Sequence, residues 1–127
     1  MKIEKLNFSL VRMGVVFYGD YCALKVGTTY NQLDLTIEGF MPMLDKIEKI
    51  NSMIDKSEKL IKGELKYNCI GENETLITFE NGFFRLYAIT ASVDSNVEIE
   101  SSDWICLLEK IKEFMLSENQ TNRIVSF

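Results

Sequence analysis

The dipeptide Asn81-Gly82, set between two alternating runs, constrains this chain more than any other feature. Both central residues of a type I′ turn need positive φ, and Asn-Gly meets that demand with little strain. A two-residue loop also fixes the register. Phe79 then opposes Phe84 and Ile77 opposes Leu86 on one face, while Thr78 opposes Arg85 and Leu76 opposes Tyr87 on the other. The first face is wholly apolar and is expected to be core.

A second hairpin is expected around Gly19-Asp20, a pair that suits a type II′ turn. Phe17 would oppose Cys22, Val15 would oppose Leu24, and Met13 would oppose Val26. Phe17-Tyr18-Gly19-Asp20-Tyr21 lies 62 residues before Phe79-Glu80-Asn81-Gly82-Phe83, and at that offset Leu24 matches Leu86 and Ile37-Glu38 matches Ile99-Glu100. Residues 44–50 match 108–114 with an offset of 64. These coincidences suggest a tandem pseudo-repeat with halves 1–62 and 63–116. A third strand is expected in each half: Leu33, Leu35 and Ile37 alternate with Asp34, Thr36 and Glu38, and Val97 and Ile99 alternate with Glu98 and Glu100. Further strands are expected near 6–10 and 65–69.

Each half is expected to close with a helix. Over 42–61, Leu44, Ile47, Ile50, Ile54 and Ile61 recur at helical spacing, with Pro42 in the first turn, Asp45 and Lys49 paired outside, and Asn51-Ser52 as a point of bending. The second helix starts at Ser101 or Ser102, either of which caps free amides, with Asp103 near the positive end. Trp104, Leu107, Leu108, Ile111, Phe114 and Met115 form its buried face. Residues 117–123 are polar and read as a frayed tail, after which Ile124, Val125 and Phe127 either dock as an edge strand or lie loose. The fold expected is therefore α+β: a single domain over 1–116, with one antiparallel sheet carrying two amphipathic helices on one face. A length of 127 residues and 46% hydrophobic content suit one core.

Composition excludes several function classes. The chain has no histidine, the commonest ligand of zinc and the usual general base of triads, so those sites are not expected. Its three cysteines, Cys22, Cys69 and Cys106, are odd in number and widely spaced, which suits a reducing cytoplasm and gives no CxxC pair. The net charge of −5 has the wrong sign for nucleic acid, and the charges are interspersed rather than gathered in a run. No run approaches the ~18 apolar residues of a membrane span, and the amino terminus lacks a small-x-small cleavage site. The expectation is a soluble, unexported protein with neither nucleic acid nor membrane as partner. Frequent Lys, Ile and Asn hint through their codons at an AT-rich genome, and so at a low-GC bacterium or its phage.

Carboxylates are the only candidates for catalysis. Glu98 and Glu100 share a strand face, as do Asp34 and Thr36 on the matching strand, but alternating acids are also what a solvated strand carries. Glu72-Asn73-Glu74 has too few spaced oxygens for a calcium loop, and no glycine pattern cradles a phosphate. No cofactor is implied. Cys22 falls on the core face of its expected hairpin, and all three thiols read as structural.

The remaining feature is the other face of the two hairpins. There Val16, Tyr18, Tyr21 and Ala23 join Leu76, Phe83 and Tyr87, beside Thr78, Glu80 and Arg85. That is apolar for a water-facing surface, unless the sheet curls and both faces are buried within one monomer. Val16, Tyr18, Tyr21, Leu76, Phe83, Arg85 and Tyr87 are accordingly the expected partner-binding residues of a non-enzymatic protein. The partner would be another protein, or a second copy in a homodimer. The strands-helix-strands-helix order is loosely similar to that of small bacterial immunity and inhibitor proteins, with no motif that names a family. A second reading is a small apolar-ligand binder or carboxylate-dependent enzyme. It requires a cavity of ~300 Å³ or more between sheet and helices, lined by Phe17, Phe79, Phe84 and Trp104.

Overall fold

The computed structural model describes residues 5–15, 19–27, 31–44, 46–67, 69–72, 74–90, 93–116 and 123–126, with side chains described only within 33–116. In chain order the elements are β1 (Lys5–Val15), β2 (Gly19–Gly27), α1 (Asn31–Phe40), a 3-10 turn (Met41–Met43), α2 (Ile47–Lys62), β3 (Cys69–Glu72), β4 (Thr75–Glu80), β5 (Phe83–Thr90), β6 (Val93–Glu100), α3 (Ser101–Leu116) and β7 (Arg123–Ser126). The class is α+β, as the alternating and helical periods imply. The strands, however, form two antiparallel sheets rather than one, ordered β2-β1-β7 and β3-β4-β5-β6.

The Asn81-Gly82 turn has the expected geometry, with φ of 53° at Asn81 and 83° at Gly82. Its register places Phe79 opposite Phe84, Ile77 opposite Leu86, Thr78 opposite Arg85 and Leu76 opposite Tyr87. β6 continues the meander, with Ile99 opposite Phe84 and Val97 opposite Leu86. Period-two alternation then separates the faces. Ile77, Phe84, Leu86, Ala88, Val97 and Ile99 are buried, while Leu76, Phe83, Arg85, Glu98 and Glu100 are exposed.

Helices cover the buried face. α1 packs on β5 and β6, and α2 packs against α3 and reaches β4. Residues 33–38 are thus helical, not the strand that their alternation suggests. Leu33, Ile37, Phe40 and Leu44 recur at spacings of four and three, all are fully buried, and Thr36 is buried beside them. A helix places that stripe in the core, whereas a strand would have faced Phe40 and Ile37 to opposite sides. α2 begins at Ile47 rather than Pro42 and runs unbroken through Asn51-Ser52 to a left-handed Gly63 cap (φ 70°) whose N–H bonds the Leu60 carbonyl. Lys49 reaches back to the Pro42 carbonyl at 2.8 Å, and Asp45 lies outside the described residues.

α3 buries Trp104, Leu107, Leu108, Ile111 and Phe114, as its period predicts, with Met115 half-buried. Trp104 is the point where the layers meet. Its ring lies 6.3 Å from Phe40 of α1 and 6.4 Å from Phe84 of β5, and its indole N–H donates to the Ser57 hydroxyl of α2 at 3.0 Å.

The first hairpin departs from its expected register. β1 and β2 pair Arg12 with Cys22, Leu10 with Leu24, Phe8 with Val26 and Val15 with Gly19, so Gly19-Asp20 lies within β2 instead of forming the turn. No turn residue separates 6–10 from 13–15, and a single long strand gains ladder pairs that two short ones would forgo. β7 docks on β1 through Leu6 opposite Val125 and Asn7 opposite Ile124, the edge-strand alternative for the tail. β3 covers 69–72, not 65–69. The tandem pseudo-repeat is not seen: Ile37-Glu38 lies in α1, whereas its counterpart Ile99-Glu100 lies in β6.

Candidate functional site

The outer face of β3-β4-β5-β6 collects the exposed residues of the alternation. Leu76 and Phe83 are 39% and 38% exposed, and Tyr87 is half-buried between its neighbours Leu76 and Asn96. At the β3 side Leu76 leans over Gly71, where an added Cβ would meet its Cδ1 at 3.4 Å. A bare strand position here leaves room for the leucine to lie flat.

Polar groups separate and flank these apolar residues. Arg85 and Glu98, directly opposite on β5 and β6, form an exposed ion pair at 2.9 Å. Directly opposed opposite charges favour one another across a sheet, although a pair this open to solvent contributes little stability. Phe83 has Glu80 opposite it on β4 and Glu100 opposite it on β6, both exposed. Neither glutamate makes an ion pair among the described residues. The Tyr87 hydroxyl donates to the Asp94 carboxylate. Partial burial, then the negative charge of Asp94, then that hydrogen bond hold the phenol above its ordinary value. Thr78, Glu80, Asn81, Phe83, Arg85 and Glu98 line an open depression of about 700 Å³ at the hairpin end of the face.

Four of the expected partner-binding residues therefore come together: Leu76, Phe83, Arg85 and Tyr87. Tyr21 lies on β2, in the three-stranded sheet, and Val16 and Tyr18 lie outside the described residues. Asp94, Glu98 and Glu100 belong to this face, yet sequence reasoning does not single out Asp94 and raises Glu98 and Glu100 only as a carboxylate pair, not as partner-binding residues. Their alternation is readable, yet only the β5–β6 pairing sets them beside Phe83, Arg85 and Tyr87.

Other candidates fare differently. Asp34 and Thr36 sit on a helix, half-buried and buried, and so do not share the strand face that their alternation suggests. Cys69 is exposed on edge strand β3 and Cys106 is half-buried, both as free thiols. Burial pushes the Cys106 thiol up. Lys110 opposes this in part, and Glu109 and Asp103 add to it. Cys22 has only its backbone described. Among the described residues no group of three or more His, Cys, Asp or Glu is placed to hold a metal ion, and no helix is long and apolar enough to cross a membrane.

The interior between sheet and helices is occupied by rings. Phe79 and Phe84 lie 5.1 Å apart, Phe84 and Trp104 are fully buried, and no described buried side-chain nitrogen or oxygen lacks a hydrogen-bond partner. Open depressions instead lie on the surface, one of about 440 Å³ between α2 and α3 and one of about 190 Å³ beside Pro42. No family of proteins, no characterised protein and no solved structure matches this chain.

Proposed function

We propose that the protein is a non-enzymatic binding protein whose outer sheet face receives another protein surface, in the manner of an immunity or inhibitor protein or a self-associating accessory protein. One observation carries this reading: Leu76 and Tyr87 lie side by side on an open face, with Phe83 exposed four residues along the same strand beyond the Arg85–Glu98 pair, while the opposite face of the same sheet is sealed by helices. Single exposed apolar residues are ordinary, but two apolar or aromatic clusters on one open sheet face, interleaved with polar groups, have the mixed composition of a contact surface. The ring-filled interior gives no support to a cavity for an apolar ligand or to a carboxylate site between sheet and helices. The odd number and wide spacing of the three cysteines support a reducing cytoplasm, and the frequent Lys, Ile and Asn support a bacterium or its phage as the source.

The test is a paired comparison using the Leu76→Ser/Tyr87→Ser variant. Its circular dichroism and melting should stay close to wild type, because both residues point away from the core. Immobilised wild type should retain a protein from its source cell, or a second copy of itself, that the variant does not. Equal capture by both proteins counts against the face, and an unfolded variant would show that these residues belong to the core.

A further inference from the structure

Among the surface features, the groove between α2 and α3 is rimmed by Asp55, Glu58, Glu109 and Glu113, but Asp55 is held by Lys59 at 3.1 Å and Glu113 lies 3.8 Å from Lys110. The thiol of Cys69 stands alone on its strand. The outer sheet face offers more, because its charges are neither balanced nor evenly spread.

Arg85 is neutralised in place by Glu98. What remains on the face is acidic: Glu80, Asp94 and Glu100, all exposed, with no second cation among the outward residues of β4, β5 and β6. Two of these acids bracket Phe83. Glu80 and Glu100 are its direct cross-strand neighbours, a position that sets Cβ atoms ~5 Å apart and leaves the ring between two carboxylates. An exposed aromatic ring flanked by carboxylates attracts a cation twice over, through the negative face of the ring and through the charges beside it. A second copy of this chain would bring the same net negative charge to the same interface and be repelled.

We infer that the occupant of this face is a protein partner with a basic, apolar-centred surface, and that one of its arginine or lysine side chains seats on Phe83 between Glu80 and Glu100. This rests on the proposed binding role of the face and specifies its partner's chemistry. Leu76 and Tyr87 supply the apolar contact beyond the cation. Asp94 adds its negative charge beside Tyr87 at the far end of the face.

The experiment titrates the full chain with a short peptide alternating arginine with leucine and tyrosine, and with a control peptide carrying glutamate for arginine. Amide chemical shifts locate binding, and light scattering records the oligomeric state. The arginine peptide should shift Glu80, Phe83 and Glu100, and its affinity should fall about tenfold between ~50 and ~500 mM salt, as screening shortens the reach of the carboxylates. Glu80→Gln/Glu100→Gln should weaken it by a similar factor, and Phe83→Leu should weaken it more than Phe83→Tyr. Comparable binding of the glutamate peptide, or shifts confined to the α2–α3 groove, overturns the inference. A wild-type dimer at neutral pH that Phe83→Ser abolishes also overturns it, because a second copy then covers the face, while the binding role of the face survives. If neither peptide shifts the face and capture is equal for wild type and Leu76→Ser/Tyr87→Ser, both readings fail together.

Discussion

Trp104 shows how a single side chain ties the helical layer to the sheet. Its ring contacts α1 and β5, and its N–H is satisfied by Ser57, a buried hydroxyl in mid-helix. Ser57→Ala strands a buried donor and should cost about 1 to 3 kcal/mol in urea unfolding. Trp104→Phe removes the donor and leaves a hydroxyl able to bond a carbonyl of its own helix, so a Ser57/Trp104 double-mutant cycle should reveal favourable coupling. Trp104→Ala should cost about 3 to 5 kcal/mol through the cavity it opens. Tyr87 makes a prediction of a different kind. Its phenol is held above the ordinary 10.0 by partial burial and Asp94, so the unfolded chain releases this proton first as pH rises. The neutral phenol therefore contributes stability at neutral pH that is lost above about pH 10. Wild type should lose stability in that range more steeply than Tyr87→Phe, and Asp94→Asn should move the tyrosine's absorbance titration back toward 10.0.

At the scale of elements, the hairpin and α1 mark how far local pattern reaches. The β4–β5 register was legible because two residues, Asn81 and Gly82, set it without reference to the rest of the chain. Gly82 has nothing within 4 Å of where a Cβ would stand, so Gly82→Ala should cost about 1 to 2 kcal/mol from its positive φ alone, measurable by thermal melting. Residues 33–38 were not legible in the same way. Leu33 and Ile37 fit both an alternating strand and a helical stripe, and only the continuation to Phe40 and Leu44 separates the two. Thr36 and Ile37 are β-branched, which tilts a local reading toward strand, yet burial on the core decides for helix. The candidate site divides likewise. Leu76, Phe83, Arg85 and Tyr87 follow from the Asn-Gly register, whereas Asp94 and Glu100 depend on β6 lying beside β5. The Ala91-Ser92 link between those strands carries no strong turn signal.

At the scale of the whole molecule, charge governs association. With a net charge of −5 and a pI of 4.8, copies of the chain carry like charge at neutral pH, which works against self-association, and the acidic face adds to that locally. Light scattering at two concentrations should find a monomer at neutral pH. Lowering the pH toward 4.8 brings the net charge toward zero and should bring on self-association, which Phe83→Ser reduces if the outer face is the surface that meets.

The junction of β6 and α3 has a consequence for recognition. Glu100 is the last residue of the strand and Ser101 the first of the helix, and the Ser101 N–H bonds the Gly82 carbonyl at 3.0 Å. The hairpin tip, the carboxylate beside Phe83 and the base of the helix that carries Trp104 are thus fastened to one another by a strand end and a single hydrogen bond. Little backbone freedom remains there to be lost when a partner arrives, so a ligand meets Phe83 and Glu100 on a frame already set and gives up less ordering entropy than a loop-borne site would demand.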